Sequence, residues 1–268
     1  FIKANYKKSI LLFLPLLFFR NKVVLDVRDT QLPRWLRFQV RAFDYIIGCS
    51  EGIAEHFQDN RRGVNYLKSK VPLDLAALRE AGRGPKLSVS DSDGTRHVAV
   101  VGLVKAGKGV DRILEAFQSV SHGGFRLHVV GVIKEQALAS RYLATESIRF
   151  YGGLSHDDTV ALIAKSDLLV SGSSSEGMPR SLLEALCVGT PILPPECVLE
   201  YSGFSDSHRI LNDDSAHCIM RKIEDAITTP RAENYDVAAH SHIEIFSRYL
   251  NFFDASIQKK KWVGDRHE

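Results

Sequence analysis

The chain is predicted to be an α/β protein built from two parallel-sheet units, and three features of its sequence carry that prediction. Short apolar runs alternate with amphipathic helical stretches along most of the chain, the order that produces a parallel sheet covered by helices. A polar stretch rich in Gly, Ser and Asp, from about Ala81 to Thr95, interrupts the alternation as a linker does. Beyond it the alternation restarts with enough strands for a second core, and 268 residues are sufficient for two modest domains.

In the first block Lys22 to Val27 reads as a buried strand, Leu36 to Phe43 as a helix, Asp44 to Cys49 as a strand, Glu51 to Gln58 as a helix and Val64 to Lys68 as a third strand. In the second block strands are expected at His97–Val101, Arg126–Val130, Ile148–Tyr151, Leu168–Ser171 and Pro191–Leu193. Helices are expected at Val110–Val120, Lys134–Leu143, His156–Lys165 and Arg180–Val188. Ile113, Leu114 and Phe117 share one helical face. A late helix from about Val237 to Phe253 carries apolar Ile243, Phe246, Leu250 and Phe253, and Lys259 to Glu268 reads as a solvated tail. The implied domains are 1–84, 85–232 and a C-terminal helix and tail at 233–268.

Composition removes several function classes. Lys plus Arg number 35 and Asp plus Glu 32, so a formal charge of only +3 gives no reason to expect nucleic acid as a partner. Cys49, Cys187, Cys197 and Cys218 form no C-x-x-C pair, which favours buried, reduced thiols and a cytoplasmic location over a metal site. An apolar run from Ile10 to Phe19 is flanked by Lys7, Lys8, Arg20 and Lys22. It is about half the length a membrane-spanning helix needs. It reads either as a core segment or as a surface resting on a membrane.

Ligands of doubly wound sheets bind outside the carboxyl ends of the strands, and two loops stand at such ends. Val101-Gly-Leu-Val-Lys-Ala-Gly-Lys-Gly109 follows a strand and opens a helix. Its glycines permit close backbone approach, and free N–H groups and Lys108 favour an anion. The segment is neither a Walker loop nor the G-x-G-x-x-G dinucleotide fingerprint, which disfavours a nicotinamide dehydrogenase. The second loop, Ser171 to Glu184, ends a strand and enters a helix near Pro179. Its Glu176 and Glu184 can each accept hydrogen bonds from sugar hydroxyls, one at a ribose and one at a transferred sugar. The plainer alternative is a helix cap at Glu176 and a surface pair at Glu184. Asp91-Ser-Asp93 has a D-x-D spacing but falls in the presumed linker, and the ten histidines, His156 and His208 among them, form no usable spacing.

Together the two loops resemble family 4 glycosyltransferases of the GT-B fold (glycosyl transferases group 1). Glu176-Gly-Met-Pro-Arg-Ser-Leu-Leu-Glu184 is similar to the E-x7-E motif of that family, and Val101 to Asp111 to its V-G-R-L-V-x-x-K-G-V-D stretch. Phe150-Tyr-Gly-Gly153 resembles its base-binding turn. Ala164 to Val170 and Gly189 to Ile192 follow the same pattern, so the likeness covers about Val98 to Ile227. In the first block Val24 to Asp29 with Pro33, and Val71 to Asp74, are similar to family segments. Family members carry further strands and a glycine-rich loop upstream, so the resemblance implies a partial N-terminal domain.

The resemblance implies a retaining, metal-independent transferase that needs no cofactor beyond its donor, a UDP- or GDP-type sugar. Glu176 would contact the hexose and support charge at its anomeric carbon, and Lys108 would neutralise the diphosphate leaving group. Glu184 would bind the ribose. Gly102, Lys105, Gly109, Tyr151, Gly152, Gly177, Met178 and Ser181 would line the donor site. The acceptor would be a lipid-linked or other saccharide in surface polysaccharide or glycolipid synthesis at the inner membrane face. One position departs from the pattern: Leu103 stands where the family has an arginine, which removes a bidentate phosphate ligand, and Lys105 is the nearby cation available to compensate. Two alternatives share the fold: a nucleotide-binding module without transfer activity, and a nucleotide-sugar epimerase.

Overall fold

The computed structural model describes residues 24–27, 45–49, 65–84, 94–119, 124–198, 204–228 and 235–264, with backbone alone for 24–27, 65 and 255–264. The expected helices at 36–43 and 51–58, the apolar run at 10–19 and the Asp91–Asp93 pair lie outside these residues. The chain divides into two compact units, residues 1–72 with 239–268, and residues 73–238.

The first unit holds a parallel sheet in the order β1 (Val24–Val27), β2 (Tyr45–Gly48), β3 (Asn65–Lys68). All four β2 residues are buried, as expected for a central parallel strand covered on both faces. The ring of Tyr45 meets Phe252 and Phe253 of the C-terminal helix edge-on, at centroid distances of 5.7 and 5.0 Å.

The second unit begins with α1 (Leu75–Gly82), a helix the sequence reading missed. Asp74 caps it by accepting a hydrogen bond from the Ala77 N–H at 3.0 Å. The unit continues as β4 (Arg96–Val101), α2 (Val110–Ser119), β5 (Phe125–Val130), α3 (Gln136–Ser140), β6 (Ile148–Gly152), α4 (His156–Ala164), β7 (Leu168–Val170), α5 (Arg180–Val188), β8 (Ile192–Leu193) and α6 (Ala216–Thr228). The strands form one parallel sheet in the order β6-β5-β4-β7-β8. Strand order therefore reverses between β4 and β7, and a crevice opens at that switch point.

Side-chain alternation gives the sheet two apolar faces. Val98, Val100, Leu127, Val129 and Leu168 pack with Ile113, Leu114 and Phe117 of α2 and Ile219 and Ile223 of α6. Ala99, Val130 and Leu169 pack on the other face with Leu162 and Ile163 of α4 and Leu182 and Ala185 of α5. Because α1 packs on α4 and α5, it belongs to the second unit, and the division falls at 72/73 instead of the expected 84/85.

Two further expectations are corrected and one helix is added. The helix expected at Lys134–Leu143 is confined to Gln136–Ser140. The N–H groups of Lys134 and Glu135 both bond to the Val104 carbonyl, which holds them outside the helix. Residues beyond it close i→i+3 turns, Tyr142 N–H to Ala139 among them. Helix α6 was not foreseen, although Ile219, Met220, Ile223 and Ala226 follow helical spacing and are buried. The late helix, α7, runs from His242 to Gly264, so Lys259 to Lys261 lie within helical backbone and not in a tail. It buries Ile245 and leaves Ile243, Phe246 and Leu250 exposed. Cys49 and Cys187 are buried while Cys197 and Cys218 are half-buried, and all are free.

Two buried polar groups tie the second unit together. Lys222 of α6 lies 2.7 Å from Asp214, with 6% of each side chain exposed, and also donates to the Arg209 carbonyl at 2.9 Å. Burial alone pushes the Asp214 carboxyl up, but hydrogen bonds from Lys222, the Leu211 N–H and the Cys218 thiol outweigh it and hold the carboxyl below its usual value. On the sheet, His128 bridges the His97 ring nitrogen and the Tyr151 hydroxyl, each at 2.8 Å. Burial, helped by His97, Arg126 and Arg149, lowers the His128 pKa to about 4.

Lys222→Met should leave an uncompensated buried carboxylate and cost about 3–5 kcal/mol, read as a lower urea midpoint. The unfolded chain takes up a proton at His128 near pH 6.5, whereas the folded chain does so only near 4. Stability is therefore unaffected by this group above pH 6.5 and falls as pH drops from there towards 4, by on the order of 1 kcal/mol per pH unit. His128→Gln should flatten that slope in denaturation curves measured between pH 7 and 4.5.

Candidate functional site

At the switch point lies a cavity of about 400 Å³, within the size range of small-molecule sites. Its floor is Val100, Val101 and Val170 at the ends of β4 and β7. One wall is the loop after β4, with Gly102, Leu103 and Lys108; the other is the loop after β7 and the start of α5, with Ser173, Glu176, Arg180, Ser181 and Glu184. Three charged groups named from sequence, Lys108, Glu176 and Glu184, thus face one cavity within a single compact unit.

The two loops meet through glycine. A Cβ on Gly109 would fall 1.8 Å from the Gly172 carbonyl oxygen, and Gly109 has φ +69°. Only glycine lets these backbones touch. Their contact carries Lys108, one residue earlier, onto Glu176, whose Oε1 accepts from Nζ at 2.5 Å and from the Ser173 hydroxyl at 3.2 Å. Glu176 therefore does not cap α5. Both partners keep about a third of their side chains exposed, 31% for Lys108 and 27% for Glu176, so each remains reachable from the cavity. Gly102 has φ +155°, and a Cβ there would meet nothing within 4 Å; its carbonyl instead lies against Gly131.

Helix α5 starts after Pro179, which offers no capping side chain, so its first-turn N–H groups open towards the crevice without a side-chain acceptor. The helix ends on Gly189 in the left-handed conformation. Glu184 lies one turn inside and is buried, with 6% of its side chain exposed. Its Oε1 accepts from Arg180 Nε at 3.0 Å and lies 2.9 Å from His156 Nε2. His156 reaches it from the first turn of α4, whose start Ser155 caps by accepting from the Asp158 N–H.

Of the other residues named from sequence, Ser181 lines the cavity. Lys105, Gly109, Tyr151, Gly152, Gly177 and Met178 are not among its lining residues. The Lys105 carbonyl instead accepts the Lys108 N–H. Gly109 supports the loop contact from behind. Tyr151 is tied to His128, with Arg149 5.1 Å over its ring, and the Gly152 carbonyl accepts from the Gly131 N–H. Gly177 is buried, and Met178 packs against the α5 face of the core. Sequence reasoning missed Arg180 and His156. Arg180 was legible as a helical i,i+4 partner of Glu184, whereas His156, 28 residues away, had no local signal. Among the described residues no group of three or more His, Cys, Asp or Glu side chains could hold a metal ion, and no helix is long and apolar enough to cross a membrane.

The fold is that of the GT-B glycosyltransferases, and the model of the family described as glycosyl transferases group 1 matches residues 88–195, which lie within the unit with the cavity. Glycogen synthase of Mycobacterium tuberculosis is 27% identical over 169 residues, covering 59% of this chain and 38% of that protein. The chain thus spans well under half the length of the curated relatives it matches. Among solved structures, the UDP-forming α,α-trehalose-phosphate synthase of Burkholderia xenovorans is similar with a TM-score of 0.66 and 13% identity, over 91% of this chain and 70% of that one. WaaG, a glycosyltransferase involved in lipopolysaccharide biosynthesis, is similar with a TM-score of 0.57 and 21% identity, over 78% and 68% of the respective chains.

Gly109→Ala should drive the two loops apart, because its Cβ meets backbone that cannot swing away. Gly107 has φ +78° but open space around it, so Gly107→Ala should cost only about 1–2 kcal/mol of backbone strain. Thermal denaturation of the two variants should place Gly109→Ala clearly lower.

Proposed function

We propose that the chain is part of a retaining, metal-independent glycosyltransferase that moves a sugar from a nucleoside-diphosphate donor, of UDP or GDP type, to an acceptor. The observation that carries this reading is the convergence of Lys108, Glu176 and Glu184 on one cavity at the strand switch point. Glu184 is fixed through Oε1 by two partners, which leaves its other oxygen to accept ribose hydroxyls. Glu176 faces the transferred sugar, and its negative charge opposes the positive charge that develops at an anomeric carbon as the glycosidic bond to phosphate lengthens. Lysine has three donors. One can stay on Glu176 while the others turn to the departing diphosphate, the electrostatic role expected at a leaving group. The first-turn N–H groups of α5 support the same anion.

The UDP-forming activity named for one structural relative and the lipopolysaccharide role named for another support a nucleotide-sugar donor and a saccharide or lipid-linked acceptor in surface polysaccharide or glycolipid synthesis, on the cytoplasmic side of the membrane and in peripheral contact with it. One observation favours a second reading, a nucleotide-binding module without transfer: Leu103, at the position of the family arginine, lines the cavity with 40% of its surface exposed.

Calorimetric titration with UDP, GDP and their sugars should show binding, and silence towards all of them removes the reading. Glu184→Ala should weaken nucleotide binding by about tenfold or more. Glu176→Ala should spare nucleotide binding and abolish donor turnover, followed as nucleoside diphosphate release; the reverse pattern means the two roles are exchanged.

A further inference from the structure

The charges around the cavity pose a problem for a donor that carries a diphosphate. Two cations, Lys108 and Arg180, and two anions, Glu176 and Glu184, line it. They are paired: Lys108 with Glu176 at 2.5 Å, Arg180 with Glu184 at 3.0 Å. The site is therefore neutral before a ligand with about two negative charges arrives. Leu103 contributes an apolar wall, and Lys105 is not among the lining residues. A second positive group must come from elsewhere in the site, or the diphosphate is desolvated against a single ammonium.

We propose that Arg180 is a diphosphate-binding residue and fills from helix α5 the place left open by Leu103. This rests on the donor-site reading above. Arg180 is the first residue of α5 and faces the cavity. Its Nε is spent on Glu184. Among the described residues nothing pairs with its two outer nitrogens, and 59% of the side chain is exposed. The guanidinium is a planar fork of five donors. With one edge held on a buried carboxylate, the outer nitrogens are pre-oriented, so little rotamer freedom is lost when they take a phosphate oxygen. Their charge adds to the positive end of the same helix. His156 completes the arrangement by holding Glu184 Oε1 from helix α4 at 2.9 Å, so the carboxylate is retained when Arg180 leans towards the ligand. Lys108 and Arg180 then approach the diphosphate from opposite walls.

The test uses the chain as it stands, with UDP, GDP, uridine and guanosine as probes. UDP and GDP are titrated by calorimetry, and the nucleosides by ligand-observed NMR. Arg180→Gln keeps a donor for Glu184 but loses the charge. It should weaken the nucleoside diphosphate that the unaltered chain binds by about tenfold to a hundredfold, with little change for the matching nucleoside. Adding Leu103→Arg to Arg180→Gln should restore most of the lost affinity, because the family position then supplies the missing guanidinium. Unchanged diphosphate affinity in Arg180→Gln overturns the proposal. So does an equal loss for nucleoside and diphosphate, since Arg180 would then act only through Glu184. Failure of the unaltered chain to bind any nucleoside diphosphate instead removes the donor-site reading itself. Thermal midpoints of both variants, and the rescue by Leu103→Arg, separate these outcomes from a folding defect.

Discussion

The site depends on one backbone contact, Gly109 against Gly172. These glycines belong to loops that leave neighbouring parallel strands, β4 and β7, at the point where strand order reverses. Elsewhere in such a sheet adjacent connections run to the same face and leave no gap between them. At the switch point adjacent connections run to opposite faces and a crevice remains. The glycine contact holds the two loops that wall that crevice against each other. Any side chain at position 109 would wedge the loops apart, and Lys108 would no longer reach the carboxylate of Glu176, 68 residues further along the chain.

A second constraint acts from the side of α5. Glu184 is a buried carboxylate, and a buried charge without partners is costly. Arg180 and His156 stabilise it from two directions. Both partners remain more than half exposed, with 59% and 53% of their side chains accessible, so the cluster is anchored at its buried end and open at the other. That asymmetry suits recognition. The buried end keeps the carboxylate in one orientation, and the other end stays accessible. On the other face of the sheet the same chemistry stands away from this site: Lys222 and Asp214 are both buried and are not among the residues lining the cavity.

Much of this was legible in the sequence, and what escaped it did so for physical reasons. Strands β4, β5 and β7 are rich in buried apolar residues, because parallel strands are covered on both faces, and their positions were read to within about a residue. Helix α5 was read correctly because Pro179 and Gly189 mark its two ends. Helix α1 was missed because its Asp74 cap and its Leu78 core residue sit beside a polar stretch that reads as linker. The helix at Lys134–Leu143 was drawn too long, since local propensity does not register that the Lys134 and Glu135 N–H groups are both drawn to the Val104 carbonyl. Tyr151 was named from the local Phe150–Gly153 pattern, and its hydroxyl is instead committed to a histidine on the adjacent strand.

Sequence alone determined most of the chemical inventory: a glycine-rich loop with Lys108, a small-residue loop with Glu176, and a helix carrying Glu184. It determined these because strand period, helix period and the requirements of caps act over a few residues. Only the tertiary structure decided which of these groups share a cavity, which carboxylate holds which cation, and that a histidine from another helix completes the cluster. Those outcomes follow from the order in which parallel strands line up in the sheet, and that order is set by long-range packing of helices on its two faces, which no local pattern encodes.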